Sequence, residues 1–280
     1  MLVFYTEATA PVKIIAFFLA WLGCWLPIAI PIAYALKWFP PKPLGAAQKI
    51  PLLASLYLIA PLLLWGIARV EGVSFFDYGI SRDLTFLISL GLGLAIGGIA
   101  IILIFAIEST LGWINWHWQL DQKFWQTLLT TLLLGLWVSG TEELIFRGFL
   151  LNELQQSYSL WLGAVVSSLI FALLHLVWEI DETLPQLPGL FLMGLVLVLA
   201  RWVDNGNLSL AIGLHAGWIW GLTTIDSAQL ISYTGKGSAW FTGKNGKPLA
   251  GAAGIFCLLI TVAILLYLGR EFFHYPNLSR

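Results

Sequence analysis

With 280 residues, 59% of them hydrophobic and 10% charged, the chain lies far outside the composition of a soluble domain, in which about 25% of residues are charged. A formal net charge of −1 leaves no basic surface for nucleic acid, and no run of like charge forms an acidic or basic tail. Cys24 and Cys257 both fall in apolar stretches and read as small packing side chains, not as a disulfide framework.

A helix needs about 20 mostly apolar residues to cross a bilayer, and on that count the chain offers about eight candidates. The expectation is an all-α, polytopic transmembrane helix bundle, integral and multi-pass, in contact with membrane lipid. We read residues 1–280 as one membrane domain. The first span runs near Val12 to Trp38, with Pro27 and Pro31 inside it, and stops at KWFPPKPLG. No basic residue precedes Lys13, and the apolar run is too long for the core of a signal peptide, so this helix is expected to be retained. The second covers about Leu52 to Val70. The third, near Leu84 to Ile107, carries the small-residue run GLGLAIGGIA, whose glycines let a neighbouring backbone come close. Trp113, Trp116 and Trp118 bunch around His117 after it, as in an interfacial aromatic belt.

The fourth span begins near Phe124 and holds GTEELIFRGFLLNEL, Gly140 to Leu154. Glu142, Glu143 and Arg147 stand there in an apolar run, where an ionised side chain facing lipid costs a few kcal/mol or more, so they must find partners. On a helix Glu143 and Arg147 share a face four apart, acid before base, the favoured order for an ion pair. Glu142 points about 100° away and is left as the free carboxylate.

The fifth span, near Leu160 to Trp178, carries Phe171 and His175 on one face. The sixth covers about Pro188 to Val203, the DNGN turn follows, and the seventh, near Leu208 to Thr224, carries His215 among Gly213, Ala216 and Gly217. The polar loop from Asp226 to Leu249 reads as a linker, with a mobile cover as the alternative. The eighth spans about Ala252 to Leu268 and ends in a short tail with His274 as a solvated residue. Lysines and arginines divide six against seven between the two sides once Arg147 is set aside, which accounts for all 14 and sets no orientation.

A spare carboxylate and two histidines supply what water activation requires: a group to take a proton, an imidazole to orient or share it, and an imidazole to stabilise an oxyanion. Glu142, His175 and His215 are also the donor types of a catalytic zinc site, although no HExxH pair is present. No Gly-x-Ser-x-Gly elbow exists, and neither cysteine neighbours a histidine in sequence. A small-molecule transporter also places ionisable groups at the bilayer midplane, but the inverted repeat of many transporters is not apparent.

Glu142-Glu143-x-x-x-Arg147 followed by Gly148, then Phe171-x-x-x-His175, then the turn from Arg201 leading to His215, resembles the CPBP family of intramembrane proteases, also called the CAAX protease and bacteriocin-processing (Abi) family. The likeness covers about residues 124–220. It implies a bundle of about eight helices with its active site in a membrane cavity, and a membrane-associated protein or peptide substrate. It implies Glu142 as the catalytic glutamate, Glu143 and Arg147 as its supporting pair with Phe171 beside them, and His175 and His215 as the catalytic histidines. No cofactor is then needed, zinc being the older assignment. Family members commonly carry Asn or Asp four residues after the last histidine, where this chain has Ile219; Trp218 is the nearest alternative donor to an oxyanion. A non-catalytic member of the same fold, acting as a membrane immunity or assembly factor, is the alternative function.

Overall fold

The structure is a computed structural model that describes residues 5–39, 44–177 and 180–271. His274 and the rest of the tail, part of KWFPPKPLG, and Trp178 lie outside the described residues. Eight long helices are found among the described residues: α1 Ala10–Ala35, α2 Ala46–Glu71, α3 Leu84–Thr110, α4 Gln122–Ser157, α5 Leu160–Leu174, α6 Leu187–Val203, α7 Ser209–Ser227 and α8 Ala252–Glu271. All but α7 belong to helical segments long and apolar enough to cross a membrane, α5 continuing through a short turn to Val177 and α6 preceded by helical turns from Ile180. Their outer faces expose apolar side chains in rows, among them Ile15, Leu19, Leu58, Leu62, Leu87 and Ile102. That much exposed hydrocarbon fits lipid as the solvent. The protein is an all-α, integral, multi-pass membrane protein.

α7 is the centre of the bundle, packed chiefly against α3 and α4. Glycines on both partners bring α3 and α7 together at backbone distance. A Cβ on Gly93 would stand 2.4 Å from the Leu210 carbonyl oxygen and one on Gly97 2.4 Å from that of Leu214; reciprocally, Gly213 would meet Leu90 O at 2.1 Å and Gly217 would meet Leu94 O at 2.6 Å. The expected packing role of the α3 glycines is therefore met by glycines on α7. The α6–α7 turn is held from inside by Asp204, which accepts from Ser89 Oγ at 2.8 Å, Ser209 Oγ at 2.6 Å and the Leu210 amide at 3.1 Å.

α1 and α2 pair on one flank, where Trp21 Nε1 donates to Leu56 O at 2.9 Å. Lys13 ties them to the end of α4, 2.7 Å from Glu71 and 3.4 Å from Glu153. Cys24 is exposed on α1, not packed inside, because beyond Trp21 the helix leaves the core and only Ala29 is buried in its second half.

Two short strands depart from the expected purely helical pattern. Ile114–Trp116 forms β1 and pairs antiparallel with β2, Ile231–Tyr233, so that Ile114 stands opposite Tyr233. Three-residue strands so far apart in sequence carry too short an alternation to be seen. The same pairing corrects the linker reading of the 226–249 loop. After β2 the chain makes a helical turn at Ala239–Thr242 and tight turns at 244–246 and 248–250 before α8 begins. It is a folded strap across the end of the bundle. His117 belongs to this region, bonded through Nε2 to Ser232 Oγ at 2.8 Å, and Trp116 stacks on Trp118 at 4.8 Å.

Candidate active site

The site is built on an interruption of α4. The helix is α-helical from Gln122 to Glu143, widens to a π-helix over Leu144–Leu150, and resumes as an α-helix at Leu151. A wider turn displaces backbone groups, and such turns collect at functional sites. Its carbonyls take side-chain donors from neighbouring helices: Ser167 Oγ donates to Phe146 O at 2.8 Å, and Arg201 Nη1 donates to Arg147 O.

Glu143 and Arg147 form the expected pair, Nη1 to Oε1 at 3.1 Å, both side chains wholly buried. Arg147 Nη2 also donates to Gly194 O on α6 at 3.1 Å, and its guanidinium lies 4.3 Å from the centre of the Phe171 ring. Gly194 lets α5 come this close, since a Cβ there would stand 2.7 Å from that of Ser168. A buried pair must have its remaining donors and acceptors met, and the carbonyl and the aromatic face do part of that here.

Glu143 has a second partner. His215 Nδ1 lies 2.8 Å from the same Oε1, and the oxygen of an arginine-paired carboxylate accepts, so Nδ1 carries the proton and Nε2 faces away from Glu143. At His175 the last turn of α5 tightens to a 3-10 turn, and Nδ1 lies 2.8 Å from the Phe171 carbonyl oxygen. A carbonyl only accepts, so this ring too holds its proton on Nδ1 and leaves Nε2 free. Phe171 packs between the histidines, its ring centre 4.6 Å from that of His175 and 6.0 Å from that of His215.

Glu142, the expected free carboxylate, has one oxygen committed and one not. Tyr57 of α2 donates its hydroxyl to Oε1. Oε2 is buried without a hydrogen-bond partner, 3.8 Å from His215 Nε2. Glu142, His175, His215, Trp218 and Ile219 all line one largely apolar cavity of about 210 Å³, walled also by Ile101, Met193 and Leu258. Glu142 and His175 line a second apolar cavity of about 100 Å³ on their other side, among Trp21, Leu56 and Leu174. The sequence does not place the three groups at one depth; the structure puts them on one wall.

Three contributors escaped the sequence reading. Arg201 and Ser167 act on carbonyls that only the π-turn presents. Tyr57 left one signal: a phenol in the middle of an apolar span needs a polar partner for its hydroxyl. Trp220, by contrast, packs against α4 and donates to Leu128 O at 2.9 Å. Among the described residues no group of three or more His, Cys, Asp or Glu side chains is arranged to hold a metal ion.

Residues 122–221 match the family model for the type II CAAX prenyl endopeptidase Rce1-like proteins, from the first turn of α4 into α7. An uncharacterized 24.3 kDa protein of Escherichia coli is 35% identical over 97 residues, which is 34% of this chain and 43% of that protein. The chain thus spans less than half the length of that curated relative. No solved structure matches it.

Proposed function

We propose, from a core at residues 122–221 that matches a protease family, that the protein is an intramembrane endopeptidase that cleaves a membrane-associated peptide or protein with a water activated by Glu142. The observation that carries this reading is the state of Glu142. One carboxylate oxygen is held by Tyr57, and the other is unpartnered and turned to a cavity that two histidines share. A buried acceptor without a partner is costly, by about 1–3 kcal/mol, and a water placed there meets its need.

In this mechanism Glu142 Oε2 takes a proton from the water as it attacks the scissile carbonyl, and His175, with a free Nε2, orients that water. The acyl carbon gains the hydroxyl, the C–N bond breaks, and Glu142 returns the proton to the leaving nitrogen. His215 stabilises the oxyanion. Its Nδ1–H is committed to Glu143, so it serves in this role as imidazolium, with Nε2–H toward the cavity and the Glu143 carboxylate behind it. Glu143 is in turn fixed by Arg147, which makes the pair the support of the second histidine as well as of the helix. The apolar walls strengthen these electrostatic interactions by excluding bulk water.

The test is a cleavage assay on membrane-associated peptides, prenylated CAAX sequences among them, with a Glu142→Gln protein as trap. Turnover by the parent and stable capture by the variant are expected. A parent that turns over no peptide in a broad set, while folded and stable, would leave the non-catalytic immunity or assembly role in its place.

A further inference from the structure

Beside the Glu142 cavity lies a second, polar space of about 950 Å³, at the end of the bundle where β1 and β2 pair. Glu182, Asp226, Gln229, Asn245 and Lys247 face it. Three residues line both spaces: Leu222 of α7, and Pro248 and Leu249 of the strap. They are the partition between an apolar chamber and a hydrated one.

The strap backbone is seated where only glycine allows it. A Cβ on Gly189 of α6 would stand 2.3 Å from Leu249 O, one on Gly254 of α8 2.2 Å from Pro248 O, and one on Gly243 1.9 Å from Lys247 O. With the backbone fixed at these points, the side chains of Leu249 and Leu222 are the adjustable parts of the wall.

Peptide hydrolysis consumes water and leaves a carboxylate and an ammonium where one neutral amide stood. Neither charged end leaves through hydrocarbon without a cost of a few kcal/mol or more. We propose that the polar space is the aqueous port of the Glu142 cavity and binds the polar segment of a peptide substrate, and that the Leu249 side chain divides it from the apolar residues at the scissile bond. The nature of what passes rests on the peptidase reading; the route does not.

The chain supplies its own probe of that route. It has two cysteines, Cys24 exposed on α1 and Cys257 on the wall of the Glu142 cavity, so Cys24→Ser leaves one thiol there. In lipid nanodiscs this protein is labelled with a small charged, water-soluble thiol reagent and, separately, with an uncharged one that partitions into the bilayer. Leu249→Ala keeps the Cβ and the seated backbone, and should speed labelling by the charged reagent about tenfold, because thiol reactivity depends on access. Ser232→Trp, at an exposed strand position facing the polar space, should slow it by a similar factor, with the uncharged reagent indifferent to both. Thermal melting confirms that both variants are folded. In the cleavage assay Ser232→Trp should raise KM for peptides with a polar flank more than for those without. If the charged reagent ignores both substitutions, the Glu142 cavity fills from the bilayer and the port does not exist. If labelling follows the port but nothing is cleaved, the peptidase reading fails and the route stands.

Discussion

Tyr57 on α2 donates its hydroxyl to Glu142 on α4, a contact between two buried side chains 85 positions apart. It lies outside the matched segment, yet it decides which oxygen of Glu142 is free. A hydrogen bond to a charged group contributes about 1.5–3 kcal/mol, so Tyr57→Phe should lower kcat by about 10- to 100-fold. The ring, edge-on to Trp137 at 6.0 Å, is kept, so KM should change little, and the melting temperature should fall only by what one buried hydrogen bond contributes. An equal fall in folded yield and activity would mean that the hydroxyl only stabilises the bundle.

Glu142 and Glu143 should separate in their effects. Glu142→Gln is expected to abolish turnover in a protein that still accumulates and melts normally. Glu143→Gln or Arg147→Ala breaks a wholly buried pair, at about 3–5 kcal/mol, and also releases His215, so the protein should accumulate poorly. Quantitative blotting of membrane fractions beside the cleavage assay reads both; the opposite pattern reverses the roles.

These two acids show what was legible in the sequence. The Glu143–Arg147 pair follows from helical spacing and the cost of charge in hydrocarbon, and it is found as expected. The eight helices follow from apolar run length, although α2 begins six residues before the expected Leu52 and only seven of the eight are apolar enough to cross a membrane. Tyr57, the π-turn and the strap do not, since each depends on partners remote in the chain: a phenol on α2, carbonyls displaced by a wider turn, and short strands about 115 residues apart. Periodicity reports which face of an element is buried, and says nothing of what meets it there.

Trp218 and Ile219 both reach the Glu142 cavity, so both remain relevant to the oxyanion. If the indole N–H donates, Trp218→Phe should cost about 10²–10³ in kcat, the usual loss for one oxyanion donor. If an amide is what the site lacks, Ile219→Asn should raise kcat. Measured turnover unchanged in both variants excludes each residue from that role.

The zinc alternative is settled by chelation. The mechanism above predicts purified protein with substoichiometric zinc and full activity after dialysis against a chelator. Zinc bound one to one, removed with activity and restored with it, would return Glu142, His175 and His215 to the position of ligands.

Gly213→Ala places a methyl group 2.1 Å from the Leu90 carbonyl oxygen, where neither backbone has room to yield. Overpacking of this kind costs about 1–3 kcal/mol, and the variant should melt earlier in detergent. Gly140→Ala, at a glycine with open space around it, is the control and should melt like the parent.

The α3–α7 contact also bears on how the chain enters the bilayer. α7 carries His215, Thr223, Thr224 and Asp226, and among the described residues it is the one long helix that is long enough but not apolar enough to cross unaided. Its backbone matches a glycine furrow on α3, a helix made more than a hundred residues earlier in synthesis. The order of the chain therefore has the receiving surface in the membrane before the helix that needs it. His215 arrives on this helix, so the cavity it shares with Glu142 and His175 is completed only when the bundle closes around α7.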